Sequence, residues 1–236
     1  MTCRQVPAML PPSLRVRLGL IGGLAALMVV VLGVLYAGDS RPGRVDGRVW
    51  SAVEGVGPLW LHVAQAMDFL GDPAGAAMLI VAVVTGCLLL LRSPRAAVLV
   101  VAGVALTVGT TTLLKHVVGR TIHGDDNLAY PSGHTAFATA LALVLALLAT
   151  GRLGLGGTAG TSLVLGAALG AGAAMGWAQV VLGAHYPTDV VGGWCTALVV
   201  VPATARLVDR SADRLSERAA DRLEDRTADA GRRKLP

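Results

Sequence analysis

Six nearly unbroken apolar stretches run along this 236-residue chain, at about 18–37, 74–91, 96–118, 134–150, 160–182 and 188–207. Each approaches the ~20 residues a helix needs to cross ~30 Å of hydrocarbon. The pattern predicts an all-α, polytopic membrane bundle of six transmembrane helices. The first run follows Arg4, Arg15 and Arg17, as a signal peptide would. It is too long for a typical signal core, and no clear cleavage site leads into a soluble domain, so it reads as a retained span. Between the first two runs, residues 38–72 are mixed. Trp50, Val53, Val56, Trp60, Val63, Ala64 and Met67 recur there at roughly helical spacing. That fits an amphipathic helix lying in the interface with its tryptophans at headgroup depth. A loop helix packed on the bundle fits equally well. The organisation is then an N-terminal segment (1–17), a membrane domain (18–207) and a charged tail (208–236).

Composition agrees. The chain is 54% hydrophobic and only 15% charged, against about 25% charged in ordinary soluble domains. Thirty glycines suit helices packed through small residues. The net charge of +5 does not point to nucleic acid. Much of the basic charge sits in the tail beside acidic residues, and there is no basic patch interleaved with aromatics. Cys3, Cys87 and Cys195 are isolated, with no zinc or disulfide spacing. With six spans both termini share a side, and fifteen of the twenty Lys and Arg residues fall on it. The positive-inside rule therefore predicts cytoplasmic termini in a plasma (inner) membrane. In the tail, arginines at every fourth position from Arg206 to Arg226 each precede an acidic residue by three. This predicts a solvated helix with i,i+3 ion pairs, or else a docking or dimerising helix, leaving a homo-oligomer open.

The chemistry concentrates in two polar islands, Pro131-Ser132-Gly133-His134 and Gly183-Ala184-His185-Tyr186-Pro187-Thr188-Asp189, with Lys115 and Arg120 closing the preceding apolar run. Polar groups at the ends of separate spans are costly and point to one site at one membrane face, the extracytoplasmic one. Ser132 is a candidate N-cap, Gly133 lets backbone approach an anion, and a helix N-terminus suits phosphate. His185 and Asp189, four apart, allow a carboxylate to fix the tautomer of an imidazole nucleophile. Two histidines, an orienting Asp, two cations and a helix N-terminus form a set for phosphoryl transfer through a covalent histidine. No metal or cofactor is required. Asp125-Asp126 read as solvated loop carboxylates rather than magnesium ligands. His62 and His116 stay outside the scheme, and Trp177 and Trp194 read as packing or interface anchors.

These residues resemble the type 2 phosphatidic-acid phosphatases, integral membrane lipid-phosphate phosphatases related to vanadium haloperoxidases. That family's signature is Lys, six residues, Arg-Pro; then Pro-Ser-Gly-His; then Ser-Arg, five residues, His, three residues, Asp. This chain matches at Lys115, at Pro131–His134, and at His185 and Asp189. The six-helix layout matches too, so the likeness spans about residues 20–210. It departs at Ile122-His123 and at Ala178-Gln179, where the family carries Arg-Pro and Ser-Arg. The resemblance implies His185 as nucleophile, Asp189 as its partner and His134 as acid to the leaving oxygen. Lys115, Arg120, Ser132 and Gly133 would hold the phosphate, with His123 and Gln179 as auxiliary donors. It implies a metal-independent hydrolase acting on a lipid phosphate or polyprenyl (di)phosphate. A catalytically feeble lipid-phosphate-binding or regulatory protein on the same scaffold is the alternative.

Overall fold

The computed structural model describes residues 8–124 and 126–232, with side chains as far as 222. Cys3, Arg4, Asp125 and residues 233–236 lie outside the described residues. A 3-10 turn (Pro12–Leu14) leads into α1 (Arg15–Leu35). Then come α2 (Arg44–Val53), α3 (Pro58–Gly71), α4 (Pro73–Leu89), α5 (Pro94–Val118), α6 (Gly133–Leu153), α7 (Gly157–Val181) and α8 (Pro187–Arg232). Proline opens α3, α4, α5 and α8, where its fixed φ suits the first turn and its missing N–H is harmless. Gly119 and Gly154 end α5 and α6 in the left-handed conformation that a side chain would resist.

The polytopic all-α prediction holds. Five helical segments are individually long and apolar enough to span a membrane: Pro12–Leu35, α5, α6, α7 and the apolar part of α8. α4 has 17 residues and follows α3 across a 66° bend, and the pair together is long and apolar enough for a sixth crossing. Residues 38–72 are therefore two helices rather than one, broken at Glu54–Gly57, and both pack on the bundle. Trp60 of α3 meets Trp177 of α7 edge-on at 5.9 Å. Trp50 of α2 meets Tyr186 at 5.7 Å.

α6 is the hub, with Leu143, Val144 and Leu147 fully buried against Leu99 and Val100 of α5 and Ala197 and Val201 of α8. α1 is peripheral. Its Val16, Leu20, Leu24, Leu27 and Val34 are largely exposed, the orientation expected of a lipid-facing helix and not of a water-soluble one. α8 lies directly on the start of α6: a Cβ on Gly193 would stand 2.3 Å from the Ser132 carbonyl oxygen. That backbone contact brings the two polar islands together, and the Ser132 N–H donates to the Asp189 carbonyl at 2.9 Å.

The tail continues α8 as a helix, but the expected ion pairs do not form among its described side chains. Each arginine precedes its acid, the less favourable order along a helix dipole. Asp209 is otherwise engaged, since its carboxylate accepts the N–H groups of Met9 and Leu10 at 2.8 and 2.9 Å. The start of the described chain is thereby clasped to the middle of α8.

Candidate active site

A cleft of about 700 Å³ opens at the end of the bundle where α5 and α7 finish and α6 and α8 begin. Lys115, Gly133, His134, Gln179 and His185 all line it, joined by Asp68, Gly71 and Asp72 from the α3–α4 bend. Both motif histidines thus face one space. Ser132 does not line it. Its Oγ accepts the Thr135 N–H at 3.3 Å as the N-cap of α6, which leaves the first N–H groups of that helix without intrahelical acceptors. Lys115 donates to the Leu128 carbonyl at the cleft wall.

His185 is 8% exposed, with Nδ1 turned toward Asp189 Oδ2 at 3.8 Å. That is longer than a hydrogen bond, and Nδ1 has no other partner among the described residues. Asp189 is held from behind instead, by the Tyr186 N–H at 2.9 Å and by Arg120 at 2.6 Å. Burial pushes the His185 pKa below the ordinary histidine value, and the facing carboxylate opposes the shift only in part. The imidazole is therefore kept neutral, the form with a lone pair free for attack.

Arg120 is placed differently from the sequence expectation. It is fully buried behind the cleft, with one nitrogen on Asp46 at 2.8 Å and the other on both Asp189 and Thr188 at 2.6 Å. Its guanidinium lies between the rings of Tyr36 and Tyr186, 4.0 and 4.4 Å from their centroids. Both terminal nitrogens are occupied and the remaining Nε, though without a partner among the described residues, is buried, so the guanidinium does not reach the cleft. It orients Asp189 instead. His123 also stands outside the cleft, pairing with the Gly183 carbonyl at 2.8 Å and meeting Trp50 edge-on. Ile122 is 1% exposed in a small apolar cluster with Ala129 and Tyr186. Among the two proposed auxiliaries, Gln179 alone reaches the cleft, and its amide donates to Asp68 at 2.7 Å.

Asp68 and Asp72 are the residues that sequence reasoning missed. Their carboxylates stand 3.5 and 3.3 Å from His134 Nε2. The i,i+4 spacing at the end of an amphipathic segment was the available signal. Asp72 occupies the N-cap of α4 yet makes no side-chain cap bond, because its carboxylate turns to His134. Both carboxylates can accept a hydrogen bond from the His134 ring. The same three side chains have ligand atoms within 4.8 Å of one another, a spacing that can hold a metal ion.

Gly71 lets α3 close on this pair. A Cβ there would lie 2.2 Å from His134 Cδ2. Gly71→Ala must therefore displace the His134 ring. A shift of ~1 Å in a reacting group can cost ~100-fold in rate, so kcat is expected to fall by about that factor with KM little changed. Steady-state kinetics at saturating substrate checks it, and an unaltered kcat would remove His134 from the reaction.

Residues 96–213 match the sequence model of a family described as the PAP2 superfamily. No curated protein matches the chain. Among solved structures, the chain is similar to a protein described as the first transmembrane PAP2 type phosphatidylglycerolphosphate phosphatase from Bacillus subtilis. The TM-score is 0.58 and the identity 20%, over 80% of this chain and 96% of that one.

Proposed function

Since the chain belongs to the PAP2 superfamily, we propose that it hydrolyses a lipid phosphate or polyprenyl (di)phosphate through a phosphohistidine on His185, without a metal ion. The observation that carries this reading is the convergence of His134, His185 and Lys115 on one cleft at the N-terminus of α6. The lone pair of His185 Nε2 forms a bond to phosphorus as the bond from phosphorus to the leaving oxygen breaks. His134 gives its proton to that oxygen. Lys115 and the Gly133 N–H offset charge on the equatorial oxygens, and Asp189 stabilises the imidazolium. Water then attacks phosphorus, its proton passes to His134, and the P–N bond breaks to release phosphate and neutral His185. The charge asymmetry of the chain supports cytoplasmic termini and a cleft on the extracytoplasmic face of the plasma membrane. The lipid tail stays in the bilayer during turnover.

One observation favours the binding or regulatory alternative. Among the described residues no guanidinium lines the cleft, while two carboxylates do. A panel of lipid phosphates, assayed in detergent with EDTA, separates the readings. Turnover that survives chelation and vanishes in His185→Ala supports hydrolysis by histidine. Equal release in both proteins, no greater than a blank, supports a binder. An absolute requirement for a divalent ion would move the chemistry onto Asp68, Asp72 and His134.

The nucleophile must be neutral to attack. Because burial lowers its pKa, the rising acid limb of kcat/KM is expected below the ordinary histidine value of ~6.5. A pH profile on a soluble short-chain substrate checks this. A limb above that value would mean that His185 rests as a cation in the free enzyme.

A further inference from the structure

A second cleft, about 450 Å³, lies between α1 and α8 at the opposite end of the bundle. It is some twenty residues along α8 from the catalytic cleft, or ~30 Å at 1.5 Å per residue. Its floor is Gly19, Gly22 and Gly23, and Arg15, Arg206 and Arg210 stand around its rim. None of these arginines forms an ion pair among the described residues. The nearby Asp209 turns its carboxylate toward the protein interior, where it accepts the Met9 and Leu10 N–H groups. The surrounding side chains Val16, Leu20 and Leu207 are largely exposed, so the cleft opens toward lipid. Arg15 begins the first span and Arg206 lies where the last apolar run ends, which is headgroup depth. A Cβ on Gly19 or Gly23 would meet no atom within 4 Å, while one on Gly22 would touch the α8 backbone at Leu198 O, 3.5 Å away, so the trough is open at Gly19 and Gly23 and closed by α8 at Gly22.

We propose that this cleft binds one anionic phospholipid, its phosphate among the three arginines and an acyl chain along the glycine floor of α1. Charge selects the headgroup. The rim carries three arginines with no ion pair among the described residues, only the 3.4 Å donations of Arg15 to the Leu10 carbonyl and of Arg206 to the Arg15 carbonyl. Such a rim above an apolar trough matches an anionic amphiphile better than a zwitterionic one. This site is separate from the catalytic cleft and independent of the reaction assigned there.

The test is native mass spectrometry of the full chain in neutral detergent, titrated with phosphatidylglycerol or phosphatidylcholine. Wild type is expected to retain one phosphatidylglycerol and not phosphatidylcholine, and His185→Ala is expected to retain it equally. Each arginine near a membrane surface accounts for ~5-fold in affinity, so Arg206→Gln with Arg210→Gln is expected to weaken retention ~25-fold. Gly23→Leu, which keeps every charge and fills the trough, is expected to abolish it, while both variants hydrolyse a soluble substrate as wild type does. Retention that ignores headgroup charge would overturn the proposal, as would indifference to either variant. Full competition by millimolar inorganic phosphate would reveal a free-anion site, and absence of retention would mean that another part of the chain fills the cleft. Both sink it.

Discussion

Replacing His185 by alanine is expected to lower kcat by ~10⁴-fold or more, the scale at which loss of an attacking group acts. The fold should persist, because the ring is held mainly by burial and its Nδ1 has no hydrogen bond to lose. The same substitution should abolish labelling by a ³²P-substrate, and the wild-type label should be stable to base and labile to acid. His134→Ala should behave differently. It removes the acid rather than the nucleophile, so a good leaving group such as p-nitrophenolate should recover much of the lost rate. A labelled His185→Ala protein, or identical leaving-group dependence in the two variants, would overturn the assignment.

Arg120→Met is expected to be the most destabilising single change at this end of the molecule. Asp46 and Asp189 are both fully buried and both paired to Arg120. Removing one partner of a buried ion pair costs about 3–5 kcal/mol, since the remaining charge is left uncompensated. Here one cation serves two anions, so the upper part of that range applies. Arg120→Lys should rescue little. A single ammonium cannot reach Asp46, Asp189 and Thr188 at once from between two tyrosine rings. Asp46→Asn combined with Arg120→Met should recover part of the loss, because one stranded charge disappears. Thermal unfolding in detergent reads all three. Wild-type stability in Arg120→Met, with weakened phosphate binding instead, would return this arginine to the cleft.

The spans could be read directly, because twenty apolar residues in a row admit few folds. The convergence of His134 and His185 could be read as well, since both sit at helix starts beside proline and glycine, and those starts bring them to one cleft. Arg120 could not. Its position beside Lys115 suggested a shared ligand, whereas its carboxylate Asp46 lies 74 positions earlier in the chain. Nothing local ties that acid to the site. Asp68 and Asp72 were hidden for another reason. An amphipathic segment explains its own charges as a polar face, so two acids on it call for no further account. Only the bend at Asp72 turns that face inward.

That bend divides the lining of the cleft by ancestry of sequence. The two histidines, the lysine and the orienting aspartate all lie within residues 96–213, the part that matches the family. The two carboxylates beside His134 lie before it. A chain trimmed to begin at Pro94 would carry every recognisable motif and still lack the two carboxylates that stand against His134. A comparison confined to the signature would find both imidazoles and miss the acidic wall that one of them faces.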